Sequence, residues 1–325
     1  MRRKIPLFIL GLILVTVALA GLAHRLPWLN TGGDVQINRR QVRLYHHASG
    51  KIEPLPLEEY LVGVVAAEMP ASFPMEALKA QAVAARTYTA QRLVPGGIAN
   101  RTIPGADVSD DHRQGQAWIS KQEMKKRWGI QYPHYYLKIK WAVKSTQNKV
   151  LTYNNQLANA VYHASCGGGA TENSGEVWQV SLPYLKSVPC PYCADPRPVR
   201  SVTYPLDKVS ARLQVDLKAV PVSAGGKKEI IKVTQTTTTG RPKTLQVGGR
   251  EMKATALRDL LNLRSTLFTY KIEGNKITFT TRGYGHGVGM CQYGAKGMAE
   301  HQKTYQQILA HYYPGTELKE LKIEK

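Results

Sequence analysis

Residues 57–93 leave this chain the fewest structural alternatives. Leu57, Leu61, Val64 and Val65 recur at helical spacing and form one apolar stripe, which predicts a helix over Leu57–Met69. Met69-Pro70 ends it, because a residue before proline is pushed out of helical backbone angles. Pro74 suits the first position of a second helix, and Glu76 places a carboxylate near its exposed amides. The alanine-rich run from Met75 to about Leu93 continues that helix and permits close packing.

Further along, Val35 to Leu44 alternates as a strand does, and Trp118–Trp128 reads as a helix. Apolar runs on either side of Asn154-Asn155 predict strands within Val150–His163. More strands follow between Thr203 and Thr281, with a hairpin turn at Gly274-Asn275 and a short helix at "KATALRDLLNL". A last helix runs from about Thr304 to Tyr313 and stops at Pro314-Gly315. The expected class is α+β, with a helical catalytic segment packed on a β-rich domain.

The N-terminus sets the expected compartment. Arg2, Arg3 and Lys4 precede an uncharged run from Ile5 to Ala23. As a helix that run spans about 28 Å, near the ~30 Å of a bilayer core. The basic flank places the rest of the chain outside. An uncleaved transmembrane anchor and a cleaved signal peptide with Ala18-Leu19-Ala20 as its site both export the protein. The expected organisation is 1–23 anchor, 24–33 linker and 34–325 one extracytoplasmic domain. The net charge is +21, which favours an anionic partner such as cell wall, membrane surface or nucleic acid. Nucleic acid is disfavoured, because no zinc-finger spacing and no aromatic-plus-basic RNA motif accompanies the charge.

Four segments carry candidate chemistry. Glu68 lies three residues after Val65 and four after Val64, on the apolar stripe of its own helix. A carboxylate there is costly unless paired or neutral, and partial burial would raise its pKa into the range of a general acid. The plainer alternative is a helix-end glutamate turned to solvent. Lys79 and Arg86, seven residues apart, share a face of the second helix. That face is either a solvated basic stripe or a source of cations pointing back at Glu68. His163-Ala-Ser-Cys166 and Cys190-Pro-Tyr-Cys193 together give H-x2-C and C-x2-C. The zinc candidates are therefore His163, Cys166, Cys190 and Cys193, and in an exported protein disulfides or free thiols are the competing expectation, with no cofactor at all. The glycine-rich segment Gly283–Gly297 surrounds His286 and lacks the pattern of a phosphate-binding loop, leaving tight turns or a sugar groove.

Three strings, "VVAAEMPASFPMEALKAQAVAARTYT", "HASCGGGATENSGEVW" and "GYGHGVGMCQYGAKGM", closely resemble the stage II sporulation protein D family. The resemblance runs from about Leu57 to Gly315. It implies a membrane-anchored lytic transglycosylase that acts on denuded peptidoglycan glycan strands during forespore engulfment, together with stage II sporulation proteins P and M. Relatives include amidase enhancers. On this chain the family's glutamate falls on Glu68, its lysine and arginine on Lys79 and Arg86, and its histidine on His163. The candidate substrate-binding set is Tyr162, His163, Ser165, Tyr284, His286 and Gln292. The chain departs from the family in carrying Cys166 and Cys291 where serine is commoner, which implies extra cross-linking, with both near Cys190 and Cys193. Some relatives bind zinc just after the catalytic helix, but the corresponding "ADVSDDHRQGQAW" has no cysteine.

Overall fold

The computed structural model describes residues 35–37, 41–94, 103–111, 115–218 and 229–323. The expected anchor and linker lie outside these residues, and no described helix is long and apolar enough to cross a membrane.

Helix α1 spans Leu57–Glu68 and α2 spans Met75–Leu93, as their spacing predicts. Neither is amphipathic in place. Leu57, Tyr60 to Ala66 and most of α2 are buried, so this pair forms the middle of the core and not its edge. The alanines of α2 now have a reason: small side chains let neighbours approach from all sides. Helix α3, Lys121–Trp128, begins on a capping box in which Ser120 and Glu123 each satisfy the other's backbone amide. Helix α4, Tyr132–Ser145, packs on both α1 and α2.

Two small sheets close this core. In one, Gln41–His46 lies between antiparallel Lys51–Pro56 and parallel Val108–Ser109. In the other, Glu317–Ile323 lies between parallel Val35–Ile37 and antiparallel Lys149–Tyr153. The predicted strand over Val35–Leu44 is thus two strands in different sheets. Asn154 and Asn155 both adopt left-handed angles in the turn to Gln156–Leu157, a conformation asparagine tolerates well.

A short helix α5, Ser174–Trp178, leads toward a second lobe. That lobe has its own hydrophobic core, built on Leu206, Val209, Leu245, Val247, Leu257, Ile277 and Phe279. It contains helices α6, Leu206–Leu213, and α7, Ala254–Leu260. One of its sheets orders Val199–Pro205, Lys276–Arg282 and Phe268–Glu273, with the hairpin turn at Gly274-Asn275 as predicted. The other is a meander of Ile231–Thr236, Pro242–Val247 and Arg250–Lys253. Val199 pairs with Arg282, so the lobe begins and ends at one place.

The chain then returns to the first core. Met290–Cys291 pairs in parallel with Tyr162–His163. Helices α8, Gln292–Glu300, and α9, Tyr305–Tyr312, pack on α2. The architecture is mixed helix and sheet. The expectation of catalytic helices packed on a β-rich domain needs refining: α1 and α2 pack on other helices and on the two small sheets, while the larger β-rich lobe has a separate core.

Candidate active site

Glu68 is the last residue of α1 and is half-buried. The backbone N–H of Ala117 donates to its Oε1 at 2.6 Å. Burial pushes the carboxyl pKa up to about 7, and the Ala117 hydrogen bond pulls the other way without cancelling it. Neither cause is a neighbouring charge, so Glu68 acts as an isolated carboxyl that exchanges its proton near neutral pH.

Aromatic and amide groups build the wall beside it. Tyr60 and Tyr162 have phenol groups held well above their usual pKa, first by burial, with the Glu68 charge adding to it. The Tyr162 hydroxyl donates to Gln116 Oε1 at 2.9 Å, and Gln116 Nε2 donates to Thr89 Oγ1 at 3.0 Å. Residues 116–119 therefore run along α1 as a strap. Ala117 holds Glu68, Ile119 N–H donates to the Gly63 carbonyl, and the Trp118 indole lies on Gly63. Sequence reasoning missed Gln116 and Ala117, since a backbone amide leaves no side-chain signal. A cavity of about 850 Å³ opens near the other end of α1, lined by Trp118, Glu58, Glu59, Lys121 and Lys140 among others; Glu68 is not in its wall.

The predicted cations go elsewhere. Arg86 is fully buried and grips Glu58 with two hydrogen bonds, of 2.9 and 2.6 Å. Its remaining donors reach the carbonyls of Val143 and Lys149 and the Thr146 hydroxyl. Glu58 lies ten residues before Glu68, roughly 15 Å along the helix axis. Arg86 thus clamps α1, α2 and α4 together, and the expectation that it faces Glu68 is corrected. Lys79 pairs with Glu76 at 2.6 Å, and Glu76 in turn accepts from the Tyr305 amide, so this pair secures α9 to α2.

The predicted groove residues divide. His163 is buried, with Nδ1 at 3.1 Å from the Val288 carbonyl, and burial holds its pKa at about 3. His286 lies 5.7 Å from the His163 ring and 4.8 Å from Trp178, and burial lowers its pKa to about 4. Both rings are neutral at pH 7. Gln292 is buried and donates to Gln81 at 3.2 Å. Ser165 is buried, and its hydroxyl lies 3.6 Å from Cys193 Sγ. Tyr284 is the exposed member; its backbone bridges to Ser165, and the Arg264 guanidinium covers its ring at 4.4 Å. The zinc set also changes. His163 is not among the converging ligand atoms, and Cys291 joins Cys166, Cys190 and Cys193 in its place. The expectation that the two extra cysteines lie near the C-x2-C pair agrees with the structure.

A family model described as "Stage II sporulation protein" matches residues 45–153, the segment that holds Glu68, Arg86 and the strap. Stage II sporulation protein D of Bacillus subtilis is 41% identical over 279 residues, covering 86% of this chain and 79% of that protein. The chain belongs to the stage II sporulation protein D family. The Bacillus amyloliquefaciens member is 40% identical over 280 residues, covering 86% of this chain and 78% of its own length. The amidase enhancer of Bacillus subtilis is 31% identical over 314 residues, covering 79% of this chain and 40% of that longer protein.

In this family member the strap makes Gly63 a sensitive position. A Cβ there would lie 2.1 Å from Trp118 Nε1 and 2.5 Å from Cδ1, so the indole must move and take Ala117 with it. Gly63→Ala is expected to cost about 1–3 kcal/mol, the usual range for overpacking. It should also lower the pH at which Glu68 titrates as water enters. Thermal unfolding and an NMR titration of the Glu68 carboxyl check the two effects separately.

Proposed function

We propose that this protein is a lytic transglycosylase of the bacterial cell wall, acting in sporulation, with Glu68 as both its acid and its base. The observation that carries the reading is the Glu68 carboxyl, reachable from solvent yet held near pKa 7 by burial. Family membership supports the sporulation role, and the amidase enhancer relative supports a cell-wall partner.

The chemistry follows from a lone carboxyl. Most glycosidases divide acid and base or nucleophile between two carboxylates. Glu68 has no charged partner among the causes of its shift. As the acid it donates its proton to the oxygen of the glycosidic bond between N-acetylmuramic acid and N-acetylglucosamine. As the carboxylate it then takes the proton from the C6 hydroxyl of the same muramic residue. That oxygen closes onto C1 and leaves a 1,6-anhydro end, so the proton count balances and no water is consumed. The Ala117 amide positions Glu68 throughout. The charge of +21 favours retention on anionic wall polymer. Membrane attachment through the N-terminal apolar run, an extracytoplasmic location and cooperation with stage II sporulation proteins P and M belong to the same proposal.

Mass spectrometry of denuded glycan strands incubated with the protein tests it. Fragments with anhydro ends support the reading. Intact strands that still bind the protein would favour a second reading, a wall-binding module that enhances an amidase, which the relative of that name suggests.

The pH profile gives a separate check. Cleavage requires protonated Glu68, so its rate should fall about tenfold per unit above pH 7. His163 and His286 titrate near 3 and 4, too low to produce that limb. A rate that stays level to pH 9 would remove Glu68 from the acid role.

A further inference from the structure

Cys166, Cys190, Cys193 and Cys291 come from three distant parts of the sequence, and their four sulfurs all lie within 4.8 Å of one another. The Cys193 and Cys291 sulfurs are 3.6 Å apart. Cys166, Cys190 and Cys291 are buried and Cys193 is half-buried. We propose that these four cysteines bind one zinc ion as a closed tetrahedral thiolate site.

The geometry argues for a single ion. With Zn–S near 2.3 Å, a tetrahedron places its sulfurs roughly 3.8 Å apart. Every sulfur here is close to all three others, which is what one central ion requires. Two disulfides would instead bring the sulfurs together in pairs at about 2.05 Å. An iron–sulfur cubane would need room for its own irons and sulfides between the thiolates, and the four sulfurs leave none. Soft thiolates in a tetrahedron suit zinc and do not suit calcium or magnesium.

The surroundings argue for thiolates. The amides of Cys166 and Gly294 each donate to Cys291 Sγ at 3.3 Å. The Tyr312 hydroxyl lies 3.1 Å from Cys190 Sγ. Donors aimed at sulfur are the usual outer shell of a zinc–thiolate centre, and a neutral disulfide sulfur rewards them little. Cys291 also caps the N-terminus of α8, where the helix dipole favours negative charge. Arg241, whose charge is paired with Glu172 at 2.8 Å, donates to the Cys166 carbonyl at 2.6 Å and holds that end of the cluster in place. Four thiolates and one zinc carry a net charge of −2, which these features offset. The approach of α8 depends on Gly294, where a Cβ would lie 2.5 Å from Cys190 Sγ.

Four protein ligands leave no open position, and the site lies beside the strand pair that carries Tyr162. Cys291 ends the strand that pairs with Tyr162–His163, and Cys166 follows that strand by three residues. An ion here fastens the wall that carries Tyr162 to the 190–193 turn. Its role is structural.

The test uses the full chain, purified with detergent under air. Elemental analysis is expected to find one zinc per chain. After denaturation with chelator and no reductant, all four cysteines should accept an alkylating label. Zinc replaced by cobalt should give the intense visible bands of tetrahedral cobalt thiolate. Cys190→Ser with Cys193→Ser should reduce bound zinc at least tenfold; should that variant fail to fold, the wild-type zinc content and labelling still decide. Absent metal with unlabelled cysteines would mean disulfides and overturn the proposal. Iron in place of zinc, or zinc retained by the double variant, would overturn it as well.

Discussion

Glu68→Gln is expected to lower glycan cleavage by a factor of roughly 10²–10⁴ while leaving the fold in place. Glutamine keeps an oxygen that can accept the Ala117 amide, so the strap stays on α1. It has no proton to donate and no basic oxygen to take one up. The same substitution should raise stability in alkali. Glu68 has a pKa of about 7 in the folded protein against 4.5 for a glutamate side chain in water. Between those values the folded state holds the proton more tightly, so stability from this group is full below pH 4.5 and is lost as pH rises through 7. The difference sets an upper limit of about 3 kcal/mol. Water reaching the half-buried carboxyl reduces that to about 1–2 kcal/mol. Glu68→Gln should therefore melt a few degrees above wild type at pH 8 and together with it at pH 4. Undiminished cleavage by the variant would end the acid/base assignment, and equal melting at pH 8 would place Glu68 in water.

The largest loss of stability is expected at Arg86. Arg86→Ala leaves Glu58 without its two hydrogen bonds and removes a donor from the Lys149 carbonyl and one of several from the Val143 carbonyl, all against the centre of the core. Breaking a buried ion pair from one side costs 3–5 kcal/mol, and the lower end, about 3 kcal/mol, applies because Glu58 retains some contact with water. That is a large share of a typical stability of 5–15 kcal/mol. Arg86→Lys should rescue little, since one ammonium cannot reach a carboxylate in two places and two carbonyls as well. Denaturant unfolding measures both variants. An Arg86→Lys protein that melts like wild type yet cleaves nothing would return this residue to the chemistry.

The first two helices and the position of Glu68 were legible in the sequence, for an identifiable reason. Apolar spacing along Leu57–Val65 is local, and Glu68 is placed by the same helix that the spacing predicts. Partners across the fold were not legible. Nothing near Arg86 in sequence tells Glu58 from Glu68, because that choice depends on how α1 and α2 cross. Helix Tyr132–Ser145 was also missed, since Ile139, Ala142 and Val143 are its buried residues and its exposed Leu137 and Trp141 blur the apolar spacing. Spacing named three of the four clustered cysteines but placed His163 with them, where Cys291 arrives through a parallel strand pair 125 residues away in sequence. The separate core of the second lobe was hidden because its strands share the composition of the rest.

That lobe enters and leaves through adjacent strands, with Val199 beside Arg282 and the Gly283 amide bonded to the Pro198 carbonyl. Its folding therefore shortens the path between the two halves of the first core. Once the described elements between Val199 and Arg282 have packed, Tyr162–His163 and Met290–Cys291 are joined through a closed unit whose ends are adjacent, and the entropy of bringing them together falls accordingly. The lobe is an inserted cassette whose closed ends bring the two halves of the first core together.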